Sequence, residues 1–592
     1  MLIPLEPFNQ LPQPVGDNLV LSALVAALPL VVLFVMLGVF KIAAWKASLT
    51  TLLVTILLAV FVWQMPAAMA TSATIDGIFF GVCQIMWILI PAVWIYNLTV
   101  KQGWDKVLRD LLRGITDDLR ILSILIAFCF GALLEALAGF GTPVAITAAM
   151  MVAAGMKPLK SAVVCMLANT APVAFGAMGA PITALGPSGS AFKLEGINPE
   201  IITDGVINNA PLVEAFGAMA GRQSPFMAMI VPLFLVFLVD GIRGLKDTWH
   251  IALTAGVVFA IFQFLSANFI GYQITDVIAS VACILAILLV LRFVKPKNPV
   301  LAEFAEDEEE KTPAQLTTGG ARVWGAVAPY AIVVAIFSIS QVPAIKSAIT
   351  NWAGGYTAPD GTKVAGNLVF TWPGLDECFK EAPSTALCLS NSVNLWSVLS
   401  TGTLLFIGGL ITFLVYKMNA GVAFGVFGKT IVTLKWTIIT IASVLGIAYI
   451  MNASGITISL GTALAFGTGA AFAFISPILG WLGVAITGSD TSSNALFGTM
   501  QATAAGNVPG WGVEHQVLMT TSNSTGGCMG KMISPQSLSV AAAAAGMVNQ
   551  EGVIFRKVIG WSLVLLIIFA ILVTLQATVL TGMIPLPGQL WG

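Results

Sequence analysis

A short polar stretch in the C-terminal half carries the residues best suited to chemistry. Unsatisfied polar groups are costly inside a lipid-facing segment, so these side chains must face protein, water or a ligand. Asp490 is the strongest candidate, because burial at membrane depth favours the neutral carboxyl and lets it exchange a proton near neutral pH. Its alternative role is structural, as a partner of Lys531 or of backbone amides. The stretch reads Gly488-Ser489-Asp490-Thr491-Ser492-Ser493-Asn494.

Neutral donors and acceptors mark two other places where apolar sequence is interrupted. Asn169 and Thr170 lie in one, and Asn523, Ser524 and Thr525 lie in the other. If helices break there, free backbone amides at the half-helix N-termini suit an anionic group. The alternative role of these side chains is to cap their own broken helices.

Few charged residues accompany these polar positions. Lys531 is the only cation in its interrupted region, where it could attract a carboxylate. Glu135 precedes Gly139 by one helical turn and is, with Glu214, a further candidate for proton coupling. Glu214 and Arg222 are eight positions apart and would share a face of a continuous helix, where an ion pair is the structural alternative.

The composition indicates a polytopic membrane protein. The 592 residues are 57% hydrophobic and 9% charged, whereas soluble chains carry about 25% charged residues. The mean hydropathy is +0.93. A net charge of -1 gives no sign of nucleic-acid binding, and with only two His no metal site is expected. No phosphate-binding loop precedes a helix, so neither nucleotide coupling nor any other cofactor is predicted.

Apolar runs of about 18–25 residues predict membrane-spanning helices. They divide into a first repeat at 1–293 and a second at 322–592, joined by an acidic cytoplasmic linker at 294–321. Two regions rich in Gly, Pro, Ser, Thr and Asn, 138–220 and 479–548, cannot be simple continuous helices. The predicted spans are 18–40, 47–63, 76–100, 119–137, 226–242, 249–270, 274–292, 323–340, 398–416, 430–451, 456–478 and 558–580.

Lys and Arg residues in the short loops predict the orientation. All of them can be cytoplasmic at once if both chain termini are extracytoplasmic. The loop 341–397 then lies outside, where a disulfide between Cys378 and Cys388 becomes plausible.

The two interrupted regions align with each other. Gly139-Phe140-Gly141-Thr142 matches Gly488-Ser489-Asp490-Thr491, and 168–181 matches 522–535 without gaps. Under the predicted orientation the two halves run in opposite directions, which is typical of inverted-repeat transporters that bind substrate near the bilayer midplane. Gly139, Gly141 and Thr142 are therefore predicted at the substrate site. The predicted fold class is an all-α polytopic membrane protein with two inverted-topology repeats, whose broken helices or re-entrant hairpins meet near the midplane.

Several stretches resemble the lactate permease family. The resemblance implies a carrier of the bacterial inner membrane that transports L-lactate, D-lactate and glycolate by proton symport. The resembling stretches are 135–146, 169–176, 221–223, 488–494 and 526–536, in the family's order.

We expect the carboxylate of such a substrate to meet the half-helix N-termini, with Lys531 or Arg222 supplying charge. Its hydroxyl would meet Ser492, Ser493 or Asn494. The partners expected are thus a small monocarboxylate, a proton and the lipid bilayer, while the oligomeric state is open. A sodium-coupled carboxylate symporter and a small-acid channel remain alternatives; an enzyme is not expected.

Overall fold

The structure is a computed structural model of the chain. The predicted disulfide residues Cys378 and Cys388, and most of the acidic linker, lie outside the described residues. Those described are 8, 10–40, 42–104, 107, 115–139, 141–195, 197–203, 206–294, 296–301, 320–340, 345, 356–357, 363–364, 367–371, 392–397, 401–547 and 550–589.

Helices make up nearly all of the described chain, as the apolar sequence requires. In the first half the α-helices are Leu19–Ala26, Leu28–Phe34, Ala44–Phe61, Ala67–Phe80, Trp87–Lys101, Leu119–Leu122, Gly131–Ala138, Thr142–Ala153, Pro158–Ala168, Gly176–Thr183, Asn209–Leu265 and Thr275–Phe293. In the second half they are Gly320–Ser340, Thr401–Val415, Ala420–Ser454, Ile456–Thr468, Phe472–Thr487, Asp490–Asn507, Val513–Lys531, Pro535–Ala544 and Glu551–Thr578. Segments of π-helix continue several of them, at Val35–Val39, Gly81–Met86, Ser123–Phe130 and Ser266–Ile270.

Short antiparallel strand pairs occur only in connections within the described part. Ile202–Thr203 pairs with Val206–Ile207 just before a long helix. In the loop predicted to be extracytoplasmic, the pairs are Tyr356–Thr357 with Lys363–Val364 and Asn367–Thr371 with Ser392–Ser397.

Nine helical stretches among the described residues are long and apolar enough to cross a membrane, which confirms the polytopic membrane class. The stretch Asn209–Ile270 contains both predicted spans 226–242 and 249–270, and it is kinked at Asp240 and Gly241, near the end of the first of them. Pro158–Ala168 and Val173–Thr183 form one further apolar pair, bent by 64°. The inverted relation between the two halves stays a prediction.

One span lies at the centre of the bundle. All of the apolar window in Leu119–Leu137 is buried in protein, whereas the other candidate spans are half buried or less. A helix that is apolar on every side belongs in such a position. This central helix carries Glu135 towards its C-terminal end.

Arg120 fixes the start of the central helix. Its buried guanidinium bonds to Asp118 at 2.7 Å, Asp240 at 3.1 Å and Asp247 at 2.9 Å. It also donates to the Asn298 carbonyl at 2.8 Å. Arg120 therefore ties the central helix to the bend at Asp240 and to the chain that enters the linker.

Glycines allow two helices of the second half to pack backbone to backbone. In Phe472–Thr487, Gly480 lies against the backbone of Asn523. From Val513–Lys531, Gly526 lies against the backbone of Pro477 and Gly530 against that of Trp481. Membrane helices commonly use small residues for such close approach.

We expect Gly480→Ala to destabilise the protein by about 1–3 kcal/mol, because the new methyl group would overlap the Asn523 carbonyl. Gly428→Ala is the matched control, since no atom lies within 4 Å of a Cβ at that position. Alanine in place of an exposed helical glycine is stabilising by up to about 1 kcal/mol. Thermal unfolding in detergent should show a lower midpoint for Gly480→Ala only, and equal midpoints would contradict the packing.

Candidate functional site

Two interruptions in the helices meet at one small cavity. The first break, Gly139 to Gly141, separates the helices Gly131–Ala138 and Thr142–Ala153; the second break, Gly488 and Ser489, separates Phe472–Thr487 and Asp490–Asn507. The cavity has a volume of about 20 Å³. It is lined by Glu135, Gly139, Val173, Gly176, Ala177, Pro181, Ser489, Asp490, Thr491 and Lys531.

Glycines with positive φ shape the first break. Gly139 ends its helix with φ 45°, and Gly141 begins the next with φ 87°. Beside them, three successive residues of the neighbouring segment are left-handed: Ala177, Met178 and Gly179 have φ of 43°, 55° and 76°. Left-handed Ala and Met are uncommon, because their Cβ crowds the backbone.

The Glu135 carboxylate faces the cavity from this side. It is 3% exposed, and Oε2 accepts a hydrogen bond of 2.9 Å from Asn169 Nδ2. A Cβ at Gly176 would lie 2.9 Å from Oε1, so the absent side chain of Gly176 makes room for the carboxylate.

Asp490 stands at the second break. Gly488 ends one helix in the left-handed conformation, and Ser489 caps the next helix by accepting from the Ser492 amide at 3.3 Å. Asp490 is the first residue of that helix, where the helix dipole favours negative charge. Its Oδ2 accepts a 2.6 Å hydrogen bond from the Ser524 hydroxyl, while the buried Oδ1 has no partner.

Lys531 supplies the positive charge of the cavity. Its ammonium is 5% exposed and donates to the Gly488 carbonyl at 2.7 Å. It interacts electrostatically with Glu135 and Asp490. Two carboxyl groups thus share the cavity with one ammonium group.

The carboxamide of Asn494 joins the helix after the second break to two neighbouring helices. Asn494 Nδ2 donates to the Pro181 carbonyl at 2.9 Å, and Oδ1 accepts from Asn523 Nδ2 at 2.8 Å. Asn523 Oδ1 in turn accepts from Gln501 Nε2 at 2.7 Å, and Gln501 bonds to Ser476. A continuous network therefore runs from the first half into the core of the second half.

The prediction of helix N-termini at Asn523–Thr525 is wrong. These residues lie inside the continuous helix Val513–Lys531. Their polar groups serve neighbouring helices instead: Ser524 bonds to Asp490, and Thr525 donates to Gln223 at 2.9 Å.

The matching prediction in the first half, a helix N-terminus at Asn169 and Thr170, is also wrong. Asn169 follows the last residue of Pro158–Ala168 and so lies at a helix C-terminus. Thr170 caps that end by donating to the Leu167 carbonyl at 2.7 Å. The helices whose first residues line the cavity are Gly176–Thr183 and Asp490–Asn507.

The structure places other predicted residues outside the cavity lining. Arg222 donates to Asn268 at 2.9 Å and to the Met583 carbonyl at 2.8 Å, and Glu214 is exposed. Ser492, Ser493 and Thr142 are not among the lining residues.

Residues 22–580 match the sequence profile of the family described as L-lactate permease. The chain belongs to the L-lactate permease family. Glycolate permease GlcA of Escherichia coli (strain K12) is 39% identical over 589 residues, covering 98% of this chain and 99% of GlcA. The L-lactate permease of Bacillus subtilis (strain 168) is 38% identical, covering 97% of this chain and 99% of that protein. The L-lactate permease of E. coli (strain K12) is also 38% identical, with coverage of 96% and 98%.

Membership of the L-lactate permease family makes the chain a multi-pass membrane transporter rather than an enzyme. Among solved structures, the Neisseria gonorrhoeae antimetabolite efflux pump MtrF aligns with a TM-score of 0.42 and 13% identity, covering 84% of this chain and 82% of that chain. The YdaH transporter of Alcanivorax borkumensis aligns with a TM-score of 0.30 and 13% identity, covering 69% and 86%.

Sequence reasoning missed two buried acids in this L-lactate permease family member. Asp276, 0% exposed, lies in the first turn of the helix Thr275–Phe293, and Asp76, 3% exposed, lies in Ala67–Phe80. The signal that could have found them is a single carboxylate within an apolar run, because an ionisable residue at membrane depth is rare without a function.

We expect Asn494→Ala to lower the stability of this family member by about 2 kcal/mol, because it removes the side-chain donor to the buried Pro181 carbonyl and leaves the Asn523 amide with only its longer bond to Ser493, at 3.4 Å. Asn507→Ala, in the same helix, is the control, since Asn507 bonds only to the Thr503 carbonyl of its own last turn among the bonds described. Thermal midpoints in detergent should fall clearly for Asn494→Ala and little for Asn507→Ala. Equal midpoints would show that the hydrogen bonds of Asn494 do not stabilise the packing of these helices.

Proposed function

We propose that the chain imports lactate and glycolate across the bacterial inner membrane together with protons. The substrate class is supported by its relatives, which are named permeases for L-lactate and for glycolate. These anions share a carboxylate and a neighbouring hydroxyl, and D-lactate carries the same two groups.

Proton coupling is supported by the charges that line the cavity. Glu135 and Asp490 are both acidic, and Lys531 is the single cation among the lining residues. With both acids ionised, the cavity carries one net negative charge and repels an anion. Protonation of one acid makes it neutral before the substrate enters. An anionic substrate therefore favours binding together with a proton.

Asp490 is the acid best placed to carry that proton. It belongs to the cavity lining, and its Oδ1 is buried without a hydrogen-bond partner. An ionised carboxylate with an unsatisfied oxygen is costly in a site of low polarity, and a proton removes much of that cost. Glu135 has a neutral amide partner in Asn169 and is the second candidate.

The substrate carboxylate is proposed to bind between Lys531 and the first amides of the helix Asp490–Asn507. Those amides have no partner within the helix and attract anions. The hydroxyl groups of Ser489 and Thr491 are the lining groups suited to the substrate hydroxyl. This arrangement replaces the expected contacts with Ser492, Ser493 and the segment Asn523–Thr525.

The small volume of the cavity points to alternating access. About 20 Å³ accommodates about one water molecule and not a lactate ion. Substrate entry thus requires the two breaks to separate, as expected for carriers with binding sites between discontinuous helices. A channel would need a continuous aqueous path instead.

Asp490→Asn is expected to abolish lactate accumulation driven by a pH gradient while retaining lactate counterflow, because the amide is neutral but cannot exchange a proton. The measurement is uptake of labelled L-lactate by proteoliposomes with an imposed pH gradient, with unlabelled D-lactate and glycolate as competitors.

Parallel vesicles with and without sodium separate proton coupling from sodium coupling. If Asp490→Asn accumulates lactate as well as the parent does, Asp490 is not the coupling group. If the parent accumulates lactate only with a sodium gradient, proton symport itself is wrong.

Lys531→Met is expected to raise the KM for lactate about tenfold or more, since a tenfold change corresponds to about 1.4 kcal/mol of lost attraction. Lys160→Met is the matched control: Lys160 also donates to a backbone carbonyl, that of Val239 at 3.0 Å, but is not a lining residue. Its KM should stay near the parent value. Equal KM values for both variants would place the substrate carboxylate away from Lys531.

A further inference from the structure

Asp276 is a fully buried acid that the proposed substrate site does not use. It lies in the first turn of Thr275–Phe293 and is 0% exposed. It is not among the cavity-lining residues. Its neighbour is Gln263, also 0% exposed, in the last turn of the helix Asn209–Leu265.

One hydrogen bond joins the two side chains, and one atom of each is left over. Gln263 Nε2 donates to Asp276 Oδ1 at 3.0 Å. The other oxygens, Asp276 Oδ2 and Gln263 Oε1, are both buried without any hydrogen-bond partner. Asp276 Oδ2 shares its carbon with Oδ1, and Gln263 Oε1 shares its carbon with Nε2, so both leftover atoms lie beside the existing hydrogen bond.

An ionised Asp276 would leave both oxygens as unsatisfied acceptors, which is costly in a buried site. A carboxylic acid and a primary amide can instead form a closed pair, in which the amide N–H donates to the acid carbonyl and the acid O–H donates to the amide carbonyl. A single proton on Asp276 Oδ2 completes that pair and satisfies both oxygens. We propose that Asp276 and Gln263 hold one proton between them as such an acid–amide pair.

No cationic side chain competes with the proton, because among the described residues no Lys, Arg or His forms an ion pair with Asp276. The opposing influence is the N-terminal dipole of its own helix, since Asp276 lies in the first turn. The titratable groups that interact with it are Glu135, on the central helix, and Cys528, on Val513–Lys531. On its own helix the next titratable group is Cys283, whose thiol lies 3.2 Å from that of Cys129. All of these groups are neutral or negative, so they favour a proton on Asp276.

The pair also contacts the segment that leads to the cavity. Gln263 Nε2 also donates to the Ala171 carbonyl at 3.4 Å, so this carbonyl is its second acceptor after Asp276. Ala171 follows shortly after Asn169, the hydrogen-bond partner of Glu135. The proposed proton site is thus separate from Asp490 and lies next to the turn that follows Asn169.

Infrared spectroscopy of the purified full-length protein tests the proposal directly. A protonated carboxylic acid has a carbonyl stretch that an ionised carboxylate lacks. At neutral pH, Asp276→Asn should lose one such band relative to the parent. Asp490→Asn should keep that band, and Gln263→Leu should shift it, because the acid carbonyl then loses its amide donor. If Asp276→Asn instead loses ionised carboxylate bands, Asp276 is charged and the proposal is overturned.

The stability and transport of two variants at Asp276 give an independent test. Asparagine reproduces both hydrogen bonds, since its amide donates to Gln263 Oε1 and its carbonyl accepts from Nε2. Asp276→Asn should thus keep a thermal midpoint and a lactate counterflow rate close to those of the parent. Asp276→Leu should have a clearly lower thermal midpoint and should lose most of its lactate counterflow. Equal losses in the two variants would overturn the pair. Failure of proton symport at Asp490 would change neither the infrared band nor this comparison.

Discussion

The hydrogen bonds of one carboxamide, that of Asn494, link the helix after the second break to the segment beside the first break. Asn494 donates to the Pro181 carbonyl of the first half and accepts from Asn523 of the second. It lies one helical turn after Asp490, and its Nδ2 is 3.5 Å from Asp490 Oδ2. Since Pro181 and Asp490 both line the cavity, this carboxamide joins the two halves of the chain directly beside it. The Asn494 carboxamide is neutral, so it adds no further buried charge to the site.

The sequence was sufficient to predict the membrane class and the positions of the two breaks. Gly139 and Gly488 each end a helix with positive φ, and the aligned Thr142 and Thr491 are the first and second residues of the helices that follow. These positions are predictable because the length of an apolar run and a glycine at its end are both visible in the local sequence. Asp490 was predictable for a related reason: a lone carboxylate in apolar sequence requires compensation.

The role of the polar run 522–531 could not be predicted in the same way. Its Asn, Ser, Thr and Gly residues have the composition of a break, yet the chain stays helical there. The glycines admit Pro477 and Trp481 of the neighbouring helix, and the polar side chains bond to partners far away in sequence. Arg222 is similar, since its partner Asn268 belongs to another segment. Such choices depend on tertiary contacts, which a single sequence does not encode locally.

The left-handed run beside the first break has a mechanical consequence. Ala177 and Met178 hold a conformation that costs about 1–3 kcal/mol for each non-glycine residue. Tyr272 packs closely against Gly179, the third residue of this run. Under the proposed alternating access, relaxation of the run on opening would recover part of that free energy and so lower the cost of separating the breaks.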